Sequence, residues 1–143
     1  MRRRPLPRAF TLVEILIVVV ILGMLAAIVV PQMSSAVQDS AATTTYSELQ
    51  KIRRHILIYK ARHANQLPSV NEGDGTWGPL IGVDHLLAPP VNAWVGGANS
   101  RVIIFGDTPD DLYQSDYGWI FDNATGEVYA GGFDANDQPL PRN

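Results

Sequence analysis

Glu14 is the residue whose type and position first suggest chemistry, because it is the single charged residue in the apolar run from Phe10 to Val30. A carboxylate in apolar surroundings is costly unless a cation pairs with it, and such residues are usually functional. Glu14 is therefore a candidate for ion pairing. In the alternative interpretation, Glu14 lies near one end of the run and only reaches out to a membrane interface.

Two acidic stretches in the C-terminal half are a second candidate for chemistry. One holds Asp107, Asp110, Asp111 and Asp116, and the other holds Asp134, Asn136 and Asp137. Hard oxygen ligands of this kind suit Ca²⁺, although the EF-hand spacing is absent. The alternative is that these are acidic turns that keep the surface soluble.

Catalytic motifs are absent from the sequence, which contains no His-Glu-x-x-His, no Gly-x-Ser-x-Gly and no phosphate-binding loop. His55, His63 and His85 are dispersed, and we predict that they are surface or partly buried residues. The lack of cysteine excludes a disulfide framework and a Cys-ligated metal site. We therefore predict that the protein is not an enzyme and requires no cofactor.

The element that positions Glu14 is a predicted transmembrane helix. The run from Phe10 to Val30 has 21 residues, of which 15 are Phe, Leu, Ile or Val, and a helix of that length spans about 30 Å. Its apolar residues favour insertion by roughly 5–8 kcal/mol, more than the cost of about 3 kcal/mol for one carboxylate. Four arginines precede the run, at positions 2, 3, 4 and 8, which predicts a cytoplasmic N-terminus and an extracytoplasmic remainder.

Other interpretations of the N-terminal segment remain open at this point. A secretory signal peptide would use Ser34-Ser35-Ala36 as its cleavage site, although the apolar run is longer than usual and contains an acid. A plain single-pass anchor and a twin-arginine signal are further alternatives.

The junction Arg8-Ala9-Phe10-Thr11-Leu12-Val13-Glu14, followed by Pro31, resembles the class III signal of type IV pilins and pseudopilins. In that family a prepilin peptidase removes a short basic leader before a Phe and methylates the new amine. Glu14 lies four residues after Phe10 and Pro31 lies 21 residues after it, as in the family. Ala9 stands where the family usually has Gly, which puts the efficiency of processing in question.

This resemblance implies that residues 1–9 are a cleaved cytoplasmic leader and that Phe10 becomes N-methylated. Glu14 would then pair with the amine of Phe10, in the same or a neighbouring chain, and set the register during assembly. The implied partners are the prepilin peptidase, other pseudopilin subunits in a homo- or heteropolymer, an inner-membrane assembly platform and the inner membrane itself.

The sequence of residues 31–143 predicts a second helical segment and a small sheet. Residues 31–67 continue the stem as an amphipathic helix, with Pro31 expected to kink it and an apolar stripe of Tyr46, Leu49, Ile52, Ile56 and Tyr59. Residues 68–143 form an extracytoplasmic β domain, with a strand at 101–105 and a hairpin at 118–130. The predicted fold class is α+β. A long kinked N-terminal helix begins as an apolar transmembrane stem and packs with its second half on a small antiparallel sheet, which gives a pilin-like lollipop.

Charge excludes one class of partner. Residues 71–143 carry eleven acids against Arg101 and Arg142, a net charge of −9, and nucleic-acid binding needs a basic face. Residues 38–66 carry a net charge of +3, on a helix face that is either solvated or meets the acidic half of a neighbouring subunit.

Two C-terminal segments, Pro90-Val91-Asn92-Ala93-Trp94 and the stretch from Gly118 to Glu127, resemble turns of type II secretion pseudopilins. The resemblance implies a structural subunit of a short periplasmic secretion filament, anchored in the inner membrane, and it favours Asp134, Asn136 and Asp137 as the optional Ca²⁺ site. A pilus subunit for adhesion, motility or DNA uptake is the nearest alternative, and a membrane-tethered enzyme or ligand-binding module is the second.

Overall fold

A computed structural model describes residues 10–73, 75–82 and 86–142, without the side chains of residues 30–32 and 34. The chain divides into two compact units, Met1–Val37 and Gln38–Asn143. The α+β class predicted from the sequence is confirmed.

Helix α1 runs from Leu12 to Arg62 and includes Pro31. The predicted kink at Pro31 stays a prediction. The helix ends at Arg62, within the predicted stem segment 31–67, because Ala64 and Asn65 adopt left-handed backbone conformations, with φ of 50° and 64°. The Asn65 N–H then donates to the Lys60 carbonyl at 2.8 Å, which closes the last turn in the manner of a helix C-cap.

The sheet has three short strands in the order β1-β2-β3, with β1 at Ile103–Phe105, β2 at Trp119–Phe121 and β3 at Val128–Ala130. The hairpin β2–β3 is antiparallel, as predicted. The prediction of a wholly antiparallel sheet was wrong, because β1 pairs with β2 in parallel. Parallel neighbours need a crossover of about a dozen residues or more, and the connection at 106–118 supplies it without a helix.

The core of the second unit joins helix α1 to this sheet. Leu49, Ile52 and Ile56 of the predicted stripe are buried against a cluster of large side chains from the loops and strands: Trp77, Leu80, Trp94, Ile103, Trp119, Phe121, Val128 and Phe133. Tyr46 was assigned to the stripe incorrectly, since its side chain is exposed. Thr45 is the fully buried residue on that turn instead.

Asn92 is a buried hydrogen-bonding hub in the predicted Pro-Val-Asn turn. Its amide nitrogen donates to the carbonyls of Gly118 and Gly131 at 2.7 and 2.9 Å. Its Oδ1 accepts from the Thr45 hydroxyl at 3.2 Å and from the Val95 N–H at 2.9 Å. One side chain therefore fastens helix α1, the turn and the sheet together, with every polar atom satisfied.

The β2–β3 turn is closed by Asp122, whose carboxylate accepts from the backbone N–H of Ala124 and from the Thr125 hydroxyl. The hydroxyl bond to Thr125 and the backbone bond to Ala124 lower the pKa of Asp122. Gly126 follows with a φ of 83°, a conformation that suits glycine. Asn123-Ala124-Thr125, a glycosylation triplet by pattern, is thus accounted for as a turn.

Candidate processing and assembly segment

The predicted processing point is at the start of the described chain. Phe10 is exposed, and helix α1 begins two residues later at Leu12. Ala9 lies outside the described residues, as does the side chain of Pro31. Phe10 and Thr11 therefore form the entry to the helix, with Glu14 in its first turn.

Thr11 and Glu14 cap the helix reciprocally. The Thr11 backbone N–H and its hydroxyl both donate to Oε2 of Glu14, each at 2.9 Å. The Glu14 N–H donates in return to the Thr11 hydroxyl oxygen at 3.2 Å. This is a capping box, and the helix dipole favours a negative charge at that position.

The capping box was missed in the sequence, although the spacing Thr-x-x-Glu before an apolar run is its known pattern. It explains how a carboxylate at the edge of an apolar helix is satisfied within its own chain. Both Thr11 donors converge on Oε2, while Oε1 of Glu14 accepts no hydrogen bond from the described residues.

The helix that follows Glu14 exposes its apolar side chains in the part of the chain that the structure describes. The 18 residues Leu12–Val29 have a mean hydropathy of 3.1 and none of them is buried, so this is a helix long and apolar enough to cross a membrane. An apolar surface of this extent is stable only when lipid or other apolar chains cover it.

Comparison with known families identifies this segment. Residues 6–30 match the family described as the prokaryotic N-terminal methylation motif. The chain carries a class III, type IV pilin-like signal. The match includes Ala9, Phe10 and Glu14 and ends one residue before Pro31. No curated protein and no solved structure was found to match the chain.

The motif implies processing by a prepilin peptidase and assembly with other pilin-like subunits, and proteins that carry it are structural. The exposed apolar helix fits a membrane anchor of such a protein. The motif ends at residue 30, before the second unit begins at Gln38, so the match covers none of that unit.

Two of the predicted Ca²⁺ residues, Asp134 and Asp137, form hydrogen bonds within the chain. Both carboxylate oxygens of Asp137 accept from the Arg53 guanidinium, at 2.5 and 2.9 Å, and that guanidinium also donates to the Val128 carbonyl. Asp134 closes its own turn by accepting from the N–H groups of Gln138 and Asn136, and these bonds, that from Gln138 first, lower its pKa.

A Ca²⁺ ion would compete with Arg53 for Asp137, and the optional Ca²⁺ site stays a prediction. Within residues 10–73, 75–82 and 86–142, no group of three or more His, Asp or Glu side chains is placed to hold a metal ion. The sequence gave no sign that Arg53, 84 residues away, is the cation that pairs with Asp137.

The other acidic stretch lies in the β1–β2 connection, and Asp110 organises it. Its carboxylate accepts from the Tyr117 hydroxyl, from the Gln114 amide at 2.8 Å and from the Gly132 N–H at 2.7 Å. Burial and the bond to Asp110 raise the pKa of Tyr117 well above its ordinary value. Asp110 is therefore structural, whereas Asp107, Asp111 and Asp116 are exposed.

The histidines show no catalytic arrangement. His63 is exposed, its ring nitrogen lies 2.9 Å from the Tyr59 carbonyl, and its ring stacks on that of Tyr59 with 3.9 Å between centroids. His55 is half-buried, and His85 lies outside the described residues. The described pair thus fits the prediction of surface or partial burial.

Proposed function

We propose that this protein is a structural subunit of a type II secretion pseudopilus, which assembles through its apolar N-terminal helix into a short periplasmic filament. The observation that carries the proposal is the methylation motif on a helix whose apolar surface is uncovered and whose first turn holds Glu14. Such a helix is stored in the inner membrane as a monomer and covered by other stems in the filament.

Processing creates the group that Glu14 needs. Hydrolysis of the Ala9–Phe10 peptide bond by the prepilin peptidase gives the leader a carboxylate and Phe10 an amine, which is then methylated and remains cationic. The positive-inside rule places this end in the cytoplasm and residues 38–143 in the periplasm. Oε1 of Glu14 then pairs with the Phe10 ammonium of a neighbouring subunit, while Oε2 stays on Thr11.

Three features support a secretion filament over a surface pilus. Asn92 of the Pro-Val-Asn segment is the hub of the second unit, and the β2–β3 hairpin carries the Asp122–Thr125 turn that resembles the secretion-type pattern. The chain also has no cysteine for a C-terminal disulfide loop. A pilus subunit for adhesion, motility or DNA uptake has the same stem physics and is the second candidate.

Mass spectrometry of the mature protein tests the processing step. Protein extracted from membranes should begin at Phe10 and carry one N-methyl group. A mature terminus at Val37 would instead identify an ordinary signal peptide and overturn the proposal. Ala9→Gly is the matched variant: it should give the same terminus, with processing at least as complete.

The phenotype of a deletion separates the two filaments. For a secretion subunit, exported proteins should accumulate in the periplasm while surface fibres are unchanged. Loss of surface fibres with normal export would establish the pilus subunit and remove the secretion assignment.

A further inference from the structure

The outer face of helix α1 in the second unit carries an exposed leucine between two cations. Leu57 is 66% exposed, with Arg54 and Lys60 one turn away on either side. Leu57 and Lys60 also line an open groove of about 630 Å³ beside Val128 of β3. Arg54, Leu57 and Lys60 are called the receiving face below.

The β1–β2 connection carries the reverse combination. Leu112 is 78% exposed, next to Asp111 and near Asp107, and both of these exposed acids form no hydrogen bond or ion pair with the described residues. Asp107, Asp111 and Leu112 are called the presenting loop below.

The presenting loop is held in shape before any partner arrives. Asp110, the residue before Asp111, is fixed by Tyr117, Gln114 and Gly132. A loop that is already ordered loses little conformational entropy on binding. A fixed loop that ends in an exposed leucine and two unpaired acids is suited to a surface that supplies a groove and cations.

The two surfaces match in charge and in apolar content. The receiving face carries the cations Arg54 and Lys60 and the presenting loop carries the acids Asp107 and Asp111, so these two surfaces attract each other when they meet. Each surface adds one exposed leucine, which would be covered in the contact.

We propose that the presenting loop of one subunit docks on the receiving face of the next subunit. The proposal rests on the proposed function, because it places this contact within a filament whose stems supply most of the affinity. Two different surfaces on one chain make a head-to-tail interface, which extends without closing when the rotation does not return on itself. The contact therefore sets the register between neighbouring second units.

Cysteine cross-linking of the full-length protein in membranes tests this contact, since the native chain has no cysteine. Two chains are co-expressed, one with Leu57→Cys and the other with Leu112→Cys, so that a cross-link joins different chains. We expect a disulfide dimer between them. Leu87→Cys, at a leucine that is 89% exposed, replaces Leu112→Cys as the control and should give none.

Charge exchange tests the electrostatic part. Arg54→Glu or Asp111→Arg alone should lower the cross-linked fraction by about tenfold, because each replaces an attraction with a repulsion. The double exchange should restore it. Arg101→Glu, the same change at an exposed site elsewhere, should have no effect.

The outcomes separate this inference from the proposed function. If the chain is N-methylated at Phe10 and polymerises, but the Leu57→Cys and Leu112→Cys chains do not cross-link, the contact is wrong and the function stands. Equal cross-linking of the Leu57→Cys chain to a second Leu57→Cys chain would indicate a two-fold contact. Cross-linking only to a different protein would indicate a foreign partner. Either result overturns docking of the presenting loop on the receiving face. A chain that is neither methylated nor polymeric overturns the function first.

Discussion

Helix α1 places similar residues in two opposite situations. Leu16 and Val19 in the first unit are more than half exposed, whereas Leu49 and Ile52 in the second unit have no exposed surface. The loops and the sheet of the second unit cover the second set, whereas the first set stays exposed among the described residues. The difference indicates that one region is stabilised by folding and the other by lipid or by other subunits.

The largest expected effect is a loss of subunit assembly through the first unit, with the stability of the second unit unchanged. Glu14→Ala should lower subunit assembly by about 100-fold or more, since removing one partner of a poorly hydrated ion pair costs roughly 3–5 kcal/mol. Membrane levels should stay normal, because the carboxylate opposes insertion. The measurement is the polymerised fraction in membranes, beside the thermal melting of the second unit, which should not change.

Two variants distinguish the charge of Glu14 from its capping role. Glu14→Gln keeps a side chain that completes a capping box but cannot pair with an ammonium, so it should fail nearly as fully as Glu14→Ala. Thr11→Ala removes the two hydroxyl bonds of the capping box and keeps the charge, and its effect should be severalfold at most. Full assembly of Glu14→Gln would show that the cap, and not the ion pair, is what matters.

The sequence predicted the first region well because that region depends on composition. A run of 21 residues with one acid predicts a membrane-spanning helix without any knowledge of tertiary contacts. The hairpin β2–β3 was also predictable, since its turn residues are local. In contrast, the parallel pairing of β1 with β2 depends on the crossover at 106–118, and a strand pattern alone does not give its direction.

Polar residues in the second unit were predicted least well. Asn92, Thr45 and Asp137 each owe their role to a partner far away in the chain. Local pattern reading assigns such residues to turns and surfaces, because hydrophobic periodicity carries no information about which buried polar atom bonds to which. Thr45 lies four residues before Leu49 on the buried face, which is the one local sign of its burial.

The second expected effect is a loss of stability in the core of the second unit. Asn92→Ala removes four hydrogen bonds and takes a partner from the buried Thr45 hydroxyl and Gly131 carbonyl, which should cost at least about 3 kcal/mol. The melting temperature of the second unit should fall by more than about 10 °C. Differential scanning calorimetry of the full chain in detergent measures this, while membrane insertion should be unaffected.

Asn99→Ala is the matched control, because Asn99 is exposed and donates only to the Ser115 carbonyl. Its melting temperature should change by a few degrees at most. An Asn92→Ala protein that melts with the control would mean that the hub does not hold the second unit together.

The smallest expected effect lies on the surface of the packed region, where neither lipid nor core contributes. The Tyr129 hydroxyl donates to a Glu127 carboxylate oxygen at 2.6 Å. This bond has the largest effect on the pKa of Tyr129, followed by burial and the charges of Glu127 and Asp122. Together they raise that pKa to about 12, while the charge of Arg53 lowers it.

A raised pKa means that the folded state keeps a proton which the unfolded state loses near pH 10. The unfolded state therefore binds fewer protons between about pH 10 and pH 12, and the free energy of unfolding falls as pH rises through that window. Because Glu127 is exposed and Tyr129 is only half-buried, solvent screening keeps the loss below about 1 kcal/mol. Ultraviolet titration of the unaltered protein minus that of Tyr129→Phe isolates the tyrosinate absorbance of Tyr129, which should appear near pH 12. Glu127→Gln keeps an acceptor but removes the charge, so it should move this absorbance change back toward pH 10. A Tyr129 signal near pH 10 in the unaltered protein would contradict the bond to Glu127.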